Sequence, residues 1–295
     1  MIVWEDVEDV AGSHLGKFDA ACPICGPECK SPANRIRKVL RIWRDETDFA
    51  TYSCARCGAK GWTTPDPQGT PTARPGVLAR AFMAPAKETA EDLKERAWRS
   101  AFAEFTFCAA GEIGGTLAEQ YLAKRGLTPG ADLRFTALAP NSYKAERSSP
   151  AMIAAVRDAA GAIVGAQATY LLPDATKTHR TSFGRFGKGA VRLAQVGQDG
   201  VLGVAEGVET ALAFTRLYGV PCWAALSAVG IEQFEPPPGL TRLVVAADHD
   251  SATGRGFNAA QKLAKRVSAL CEVAISMPAA EGDWNDELLA RKIAA

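Results

Sequence analysis

At 295 residues, with 47% hydrophobic and 23% charged residues, the chain is long enough for one sizeable core and a small accessory module. A net charge of +1 excludes a uniformly polycationic protein, so local clusters of charge carry the information. No apolar run has the length of a membrane span and no basic-then-apolar leader opens the chain. The eight cysteines are therefore expected in a reducing cytoplasm, serving metal rather than disulfides.

Two knuckles open the chain, Cys22-Pro23-Ile24-Cys25 and Cys54-Ala55-Arg56-Cys57-Gly58. Paired Cys-x-x-Cys units about thirty residues apart supply four thiolates to a tetrahedral Zn²⁺. Cys29 and His14 are alternative donors, although the knuckle spacing favours Cys25 over Cys29. Between the knuckles Ile36, Leu40 and Ile42 interleave with Arg37, Arg41 and Arg44, and Phe49 to Ser53 reads as a return strand. So small a β-ribbon needs its metal to fold. Its basic residues, Lys30, Arg35, Arg37, Lys38, Arg41, Arg44, Arg56 and Lys60, lie near Trp43, Tyr52 and Trp62. Cations for phosphates and rings for bases suit a single-stranded nucleic acid, while a solvated surface over a miniature aromatic core is the plainer alternative.

A Pro-rich linker follows, over 64–87, with Pro65, Pro67, Pro71, Pro75 and Pro85. Glu88 to Cys108 then reads as a helix with Leu93, Ala97, Trp98, Phe102 and Phe105 on one face, and Thr116 to Arg125 as a second that stops at Gly126. From Arg134 the pattern turns to strands: Ala151 to Arg157, a turn over Asp158 to Gly161, Ala162 to Leu172, and Ala190 to Ala194. Its polar positions are basic, Lys177, Arg180, Arg185, Lys188 and Arg192. The run Gly184-Arg185-Phe186-Gly187-Lys188-Gly189 is glycine-rich enough to approach a phosphate closely, without being a P-loop. Cys108, Cys222 and Cys271 sit among apolar neighbours and read as buried thiols.

In the last third, unbroken apolar runs read as strands covered on both faces. One ends at Glu206-Gly207, one at Asp248-His249-Asp250, and the run Glu272 to Pro278 precedes Gly282-Asp283-Trp284-Asn285-Asp286. Helical patterns over Val208 to Tyr218 and Phe257 to Leu270, a short strand over Pro221 to Leu226 and a closing helix from Asn285 to Ile293 give a β-α-β order. Right-handed crossovers would gather the three acidic strand ends on one edge. Side chains two apart on an extended chain share a face, so Asp248 and Asp250 can face one ion while His249 points away. Mg²⁺ is typically held by a few carboxylates, water and substrate phosphate, which points to phosphoryl transfer. Helix capping is the alternative role for such acids.

These last motifs resemble the Toprim domain of DnaG-type primases, type IA and II topoisomerases and certain nucleases, over about Val201 to Ala295. The chain departs from that pattern at Thr210, where primases often carry a further acid, and at Asn285, where the late motif often has its second acid. A zinc ribbon preceding a Toprim domain resembles the layout of the DnaG-type bacterial and phage primases. The resemblance implies an α/β fold: a Toprim-type parallel sheet flanked by helices at 199–295, a small mixed α+β subdomain at 88–198, and an N-terminal zinc β-ribbon that binds nucleic acid at 1–63. It implies a DNA primase, a nucleotidyltransferase making short RNA primers on a single-stranded DNA template from nucleoside triphosphates. Catalysis would fall to Glu206, Asp248 and Asp250, with Asp283 and Asp286 as further Mg²⁺ or Mn²⁺ ligands. Arg180, Arg185, Lys188, Arg192, Arg37 and Arg41 would hold nucleotide or template, and Cys22, Cys25, Cys54 and Cys57 one structural Zn²⁺. The same likeness suggests a separate replicative helicase as partner, a phage or mobile-element origin and no membrane association. A Toprim-type nuclease and a non-catalytic nucleic-acid-binding replication accessory protein are the alternatives.

Overall fold

The structure, a computed structural model, describes residues 2–11, 15–29, 31–46, 48–65, 90–144, 147–249 and 254–294. Asp250, Lys30, His14 and most of the linker expected at 64–87 lie outside the described residues. The chain divides into two compact units, Met1–Glu88 and Thr89–Ala295.

In the first unit, helix α1 (Trp4–Ala11) and the four-residue α2 (Pro32–Arg35) accompany an antiparallel sheet of β1 (Gly16–Ala21), β2 (Lys38–Arg44), β3 (Ala50–Cys54) and β4 (Lys60–Thr63), in that order. The period of two along β2 turns Leu40 and Ile42 inward, onto Ile2, Trp4, Val7, Ala50 and Tyr52. Ile36, expected to interleave with them, precedes β2 and is exposed, because the short helix α2 intervenes. Cys22, Cys25 and Cys54 belong to the same small core.

The second unit begins with α3 (Ala90–Cys108) and α4 (Leu117–Lys124) and an antiparallel sheet of β5 (Leu133–Pro140), β6 (Ser148–Arg157), β7 (Ile163–Leu171) and β8 (Lys177–Gly184). Strand β6 is buried on both faces. Ala151, Ile153 and Ala155 pack with Ala103 and Phe107 of α3, while Met152, Ala154 and Val156 face Tyr121 and Leu122 of α4. Thr116 caps α4 by accepting from the Ala118 N–H at 3.2 Å. The segment 190–194 is not a strand; only isolated bridges, Ala190 to Arg157 and Val191 to Ala224, pass through it. Of the three cysteines expected to be buried, Cys222 is and Cys271 partly is, but Cys108 is exposed on the last turn of α3.

The parallel sheet follows as β9 (Val201–Ala205), α5 (Val208–Tyr218), β10 (Cys222–Ala224), α6 (Ala228–Gln233), β11 (Arg242–Ala246), α7 (Arg255–Val267), β12 (Glu272–Ser276) and α8 (Trp284–Ala294). Strand order is β10-β9-β11-β12, all parallel, with Ala205 level with Ala246 and Ala246 with Ser276. The chain leaves β9 outward to β10 and returns past it to β11, so the topological switch lies between the carboxyl ends of β9 and β11, where open α/β sheets bind ligands. Helices α6 and α7 bury Ile231, Leu263 and Val267 with Val245 of the sheet. The apolar residues of α5 and α8, among them Phe214, Trp284 and Leu288, join the core that also holds β6 and α4. Burying side chains of this size contributes about 1.5–3 kcal/mol each. Trp284 lies edge-on to Phe214 at 5.1 Å and to Tyr218 at 5.4 Å, and Arg291 donates to the Tyr218 hydroxyl at 3.3 Å.

Candidate functional site

The four knuckle thiols converge. The Sγ atoms of Cys22, Cys25, Cys54 and Cys57 lie within 4.8 Å of one another, with Cys22 to Cys57 at 3.9 Å and Cys25 to Cys54 at 3.8 Å. A tetrahedral ion with Zn–S bonds of about 2.3 Å demands S···S edges of about 3.8 Å, which these two edges match. Each knuckle is a tight turn, with Gly26 N–H to Cys22 carbonyl at 2.8 Å and Gly58 N–H to Cys54 carbonyl at 3.0 Å. A Cβ on Gly26 would meet the Cys22 carbonyl at 2.5 Å, and Gly58 has φ +71°. The Arg56 N–H donates to Cys54 Sγ at 3.4 Å. Burial, then contact with the neighbouring thiols, pushes the Cys25 thiol up, a crowding that a dication reverses. Cys29 stands outside this cluster: its thiol donates to the Cys25 carbonyl at 3.2 Å and accepts from Arg56 Nη1 at 2.9 Å.

Much of the ribbon's positive charge has internal partners. Arg41 forms a forked pair with Asp19 at 2.7 and 2.9 Å, and Arg44 pairs with Asp48 at 2.9 Å while lying over the Trp4 ring. Tyr52 is a core residue, whereas Trp62 is exposed and stacks on Phe49 at 5.9 Å. Arg37 is exposed beside α2.

The acidic strand ends also come together. Glu206 follows β9 immediately and Asp248 lies two residues beyond β11, on neighbouring strands in level register. Past the end of β11, His249 N–H donates to the Gly282 carbonyl at 2.9 Å and Gly282 N–H to the His249 carbonyl at 3.0 Å. That bridge carries Asp283 to the same edge. The His249 ring turns to the Pro278 carbonyl, its Nδ1 at 3.1 Å, as the period of two requires. Asp283 Oδ1 accepts from the Asn285 and Asp286 N–H groups at 2.7 and 2.9 Å, and Asp286 Oδ2 from the Asp283 N–H at 3.1 Å, a reciprocal cap on α8. Burial first, then the charges of Asp286 and Glu209, push the Asp283 carboxyl above its usual range, against those cap bonds. Half-buried carboxylates crowded at one strand edge suit a hard, oxygen-seeking dication.

One carboxylate gained a role that sequence reasoning missed. Glu209, on the first turn of α5, is 7% exposed, and its Oε1 accepts from both the Tyr121 hydroxyl and Arg180 Nη2. Burial alone would raise its pKa, but the Arg180 charge and the Tyr121 bond outweigh that and hold it low. Arg125 lies over the Tyr121 ring at 4.0 Å. Lys177 senses the charges of Arg180, Arg125, Glu209 and Asp283; burial, then repulsion by Arg180, pushes it below the usual lysine range. Of the cations expected at the site, Arg180 thus pairs with Glu209, three residues beyond Glu206. Lys188 pairs with Glu235, Arg192 donates to the Asp158 carbonyl at 2.6 Å over the Trp223 ring, and Arg185 is exposed past the end of β8. The sequence signal available for Glu209 was its place three residues after Glu206, on the first turn of the expected helix.

Residues 201–293 match the family model of the Toprim domain, and this carboxyl-terminal region is a Toprim domain. Residues 97–193 match a family described as a domain of unknown function (DUF7146). Among solved structures, the zinc-binding and RNA polymerase domains of the Aquifex aeolicus primase are 14% identical, with a TM-score of 0.45, over 95% of this chain and 78% of that one. The primase fragment of the bacteriophage T7 primase-helicase protein is 14% identical with a TM-score of 0.40, over 94% and 97%. A DNA primase domain from Pseudomonas aeruginosa is 18% identical with a TM-score of 0.41, over 66% and 74%. Among the described residues no helix is long and apolar enough to cross a membrane.

Proposed function

We propose that the chain is a DNA primase that makes short RNA primers on single-stranded DNA by metal-dependent nucleotidyl transfer. The observation that carries this reading is the acidic edge of a Toprim domain, with Glu206 and Asp248 at neighbouring strand ends and a cationic strand, β8, whose Arg180 pairs with Glu209 three residues beyond Glu206. Asp248 and Asp250 would hold Mg²⁺ or Mn²⁺, with Glu206, and Asp283 and Asp286 extend the acidic edge. A dication bound there neutralises phosphate charge. Glu206 takes the proton of the attacking 3′-hydroxyl as the new phosphodiester bond forms at the α-phosphorus and pyrophosphate departs. Arg180 contacts the triphosphate, and Arg185, Lys188 and Arg192 line the path of template or nucleotide. The four-thiol ribbon would carry one structural Zn²⁺ and, through Arg37, Arg41 and Trp62, meet the template. The domains would divide as 1–63, 64–87, 88–198 and 199–295.

The test is incorporation of labelled nucleoside triphosphates on a mixed single-stranded DNA template with Mg²⁺ or Mn²⁺. Short products that fall by about 10²-fold or more in Glu206→Ala and Asp248→Ala support the proposal. Template cleavage that depends on Asp248, without synthesis, moves the assignment to a nuclease. Binding that survives both substitutions, with neither activity, leaves a replication accessory protein.

A further inference from the structure

Two glutamates with opposite surroundings flank the start of α5. Glu206 precedes the helix on the half-exposed edge; Glu209 is turned inward. Both bonds to Glu209 come from outside the Toprim region, Tyr121 from α4 and Arg180 from β8. Its Oε1 takes both donors, and Oε2 lies back toward Gly207, at 3.9 Å from where a Cβ there would be. Tyr121 is fully buried and Arg125 covers its ring, so the phenol is fixed before it reaches Glu209. Arg180 is different: its side chain remains 34% exposed while one guanidinium nitrogen is bound. On β8 it pairs with Thr169, on the face opposite Phe183 and α3, so it points toward the Toprim helix.

A guanidinium has five N–H donors in a planar fork, and holding one corner aims the rest. We propose that Glu209 is a positioning residue rather than a metal ligand: with Tyr121 it holds Arg180 so that the exposed part of the guanidinium receives the triphosphate of a nucleotide bound at the acidic edge. This rests on the nucleotidyl-transfer reading for the identity of the ligand. Lys177, three residues earlier on β8, supplies neighbouring charge, and the repulsion it feels from Arg180 and Arg125 is one that a bound anion relieves. The acid that primases often carry one helical turn after the first glutamate is Thr210 here, and Glu209 beside it does not replace that acid. Its carboxylate is spent on Arg180.

The experiment measures binding of a ribose-labelled fluorescent ATP analogue with Mg²⁺ to the full chain, and in parallel its primer synthesis, for Glu209→Gln, Arg180→Ala, Tyr121→Phe and the double variant Glu209→Gln/Arg180→Ala. Loss of one charge-assisted hydrogen bond corresponds to a weakening of about tenfold or more. Glu209→Gln should weaken analogue affinity by about tenfold, Tyr121→Phe by less, and the double variant should be no weaker than Arg180→Ala. The Mg²⁺ concentration giving half-maximal binding should not change. Unchanged affinity in Glu209→Gln, a shifted Mg²⁺ requirement, additive losses in the double variant, or no analogue binding by the wild type would each overturn the proposal. Circular dichroism identifies a variant that fails to fold, and Tyr121→Phe, which keeps the ring under Arg125, then decides the matter: unchanged affinity refutes the clamp. Primer synthesis lost in Glu206→Ala while Glu209→Gln binds normally refutes only this inference. Analogue binding that follows the predicted pattern without any primer synthesis refutes only the nucleotidyl-transfer reading.

Discussion

Removing the metal from the four-thiol cage should unfold the ribbon while leaving the second unit folded. Two cage edges, at 3.8 and 3.9 Å, already match the tetrahedron of a Zn²⁺ thiolate site, and all four sulfurs lie within 4.8 Å of one another, so binding costs little rearrangement. Structural Zn²⁺ in small domains contributes about 10–16 kcal/mol at neutral pH. Shared equally among four thiolates, that is about 3 kcal/mol per ligand, or roughly a hundredfold in affinity. The sheet has little else to rely on. Its core consists of Ile2, Trp4, Val7, Leu40, Ile42, Ala50 and Tyr52 with three of the cysteines themselves, and a core of that size gives only a few kcal/mol. Cys54→Ser removes a buried ligand that also receives the Arg56 N–H. Protein purified without chelators should carry about one equivalent of zinc, and Cys54→Ser far less. Limited proteolysis should then cut within Gly16–Thr63 of the variant, or of wild type treated with chelator, while fragments beginning near Ala90 persist. A ribbon that stays protected after complete metal removal would refute the reasoning.

Three further outcomes concern the second unit. Asp132 takes three bonds from the Arg157 guanidinium at 2.8–3.0 Å and one from the Arg192 N–H at 3.3 Å; with Arg157 only 27% exposed, Asp132→Ala should cost about 2–4 kcal/mol, lowering Tm by roughly 5–12 °C in a scanning calorimeter. A Cβ on Gly203 of β9 would lie 2.9 Å from Cys222 Sγ on β10, so Gly203→Ala should destabilise by about 1–3 kcal/mol in urea, and adding Cys222→Ala should recover part of it. Glu209 is held below its ordinary value of 4.5, so its contribution is complete above that pH and disappears as pH falls through the lower folded value. Wild type should therefore lose more stability than Glu209→Gln on acidification below pH 4.5, and parallel pH profiles would count against an ionised Glu209.

Elements whose physics is local were legible in the sequence. The helix expected over Val208 to Tyr218 has those bounds, because Gly207 opens it and Gly219, at φ +70°, closes it. The strands ending at Glu206 and before Asp248 are unbroken apolar runs because they are interior to a parallel sheet. Strand β8 was read only as a basic segment: it is an edge strand, and Lys177, Thr178, His179 and Arg180 at its exposed start hide the alternation that Phe183 would otherwise reveal. Strand β1, also at an edge, left no clear signal for the same reason. The pairing of Arg41 with Asp19 and the bond from Tyr121 to Glu209 span 22 and 88 residues, separations over which a single sequence gives no pairing information. Asp283 and Asp286 were read as metal ligands, and the fold also has them cap α8.

The aromatic contact of Trp284 with Phe214 and Tyr218 has a mechanical consequence. It welds the start of α8 to the face of α5, and the Asn285 amide, donating to the Arg125 carbonyl at 3.0 Å, ties the same point to α4. Glu206 beside the start of α5 and Asp283 at the head of α8 are therefore held on a single stiff piece, and the reciprocal backbone bonds between His249 and Gly282 join the Asp248 segment to it from β11. The width of the acidic edge is thus set by backbone pairing rather than by the side chains that line it. Where α7 passes Asp248, a methyl group on Gly256 would rest in ordinary contact, 3.5 Å from the Asp248 carbonyl.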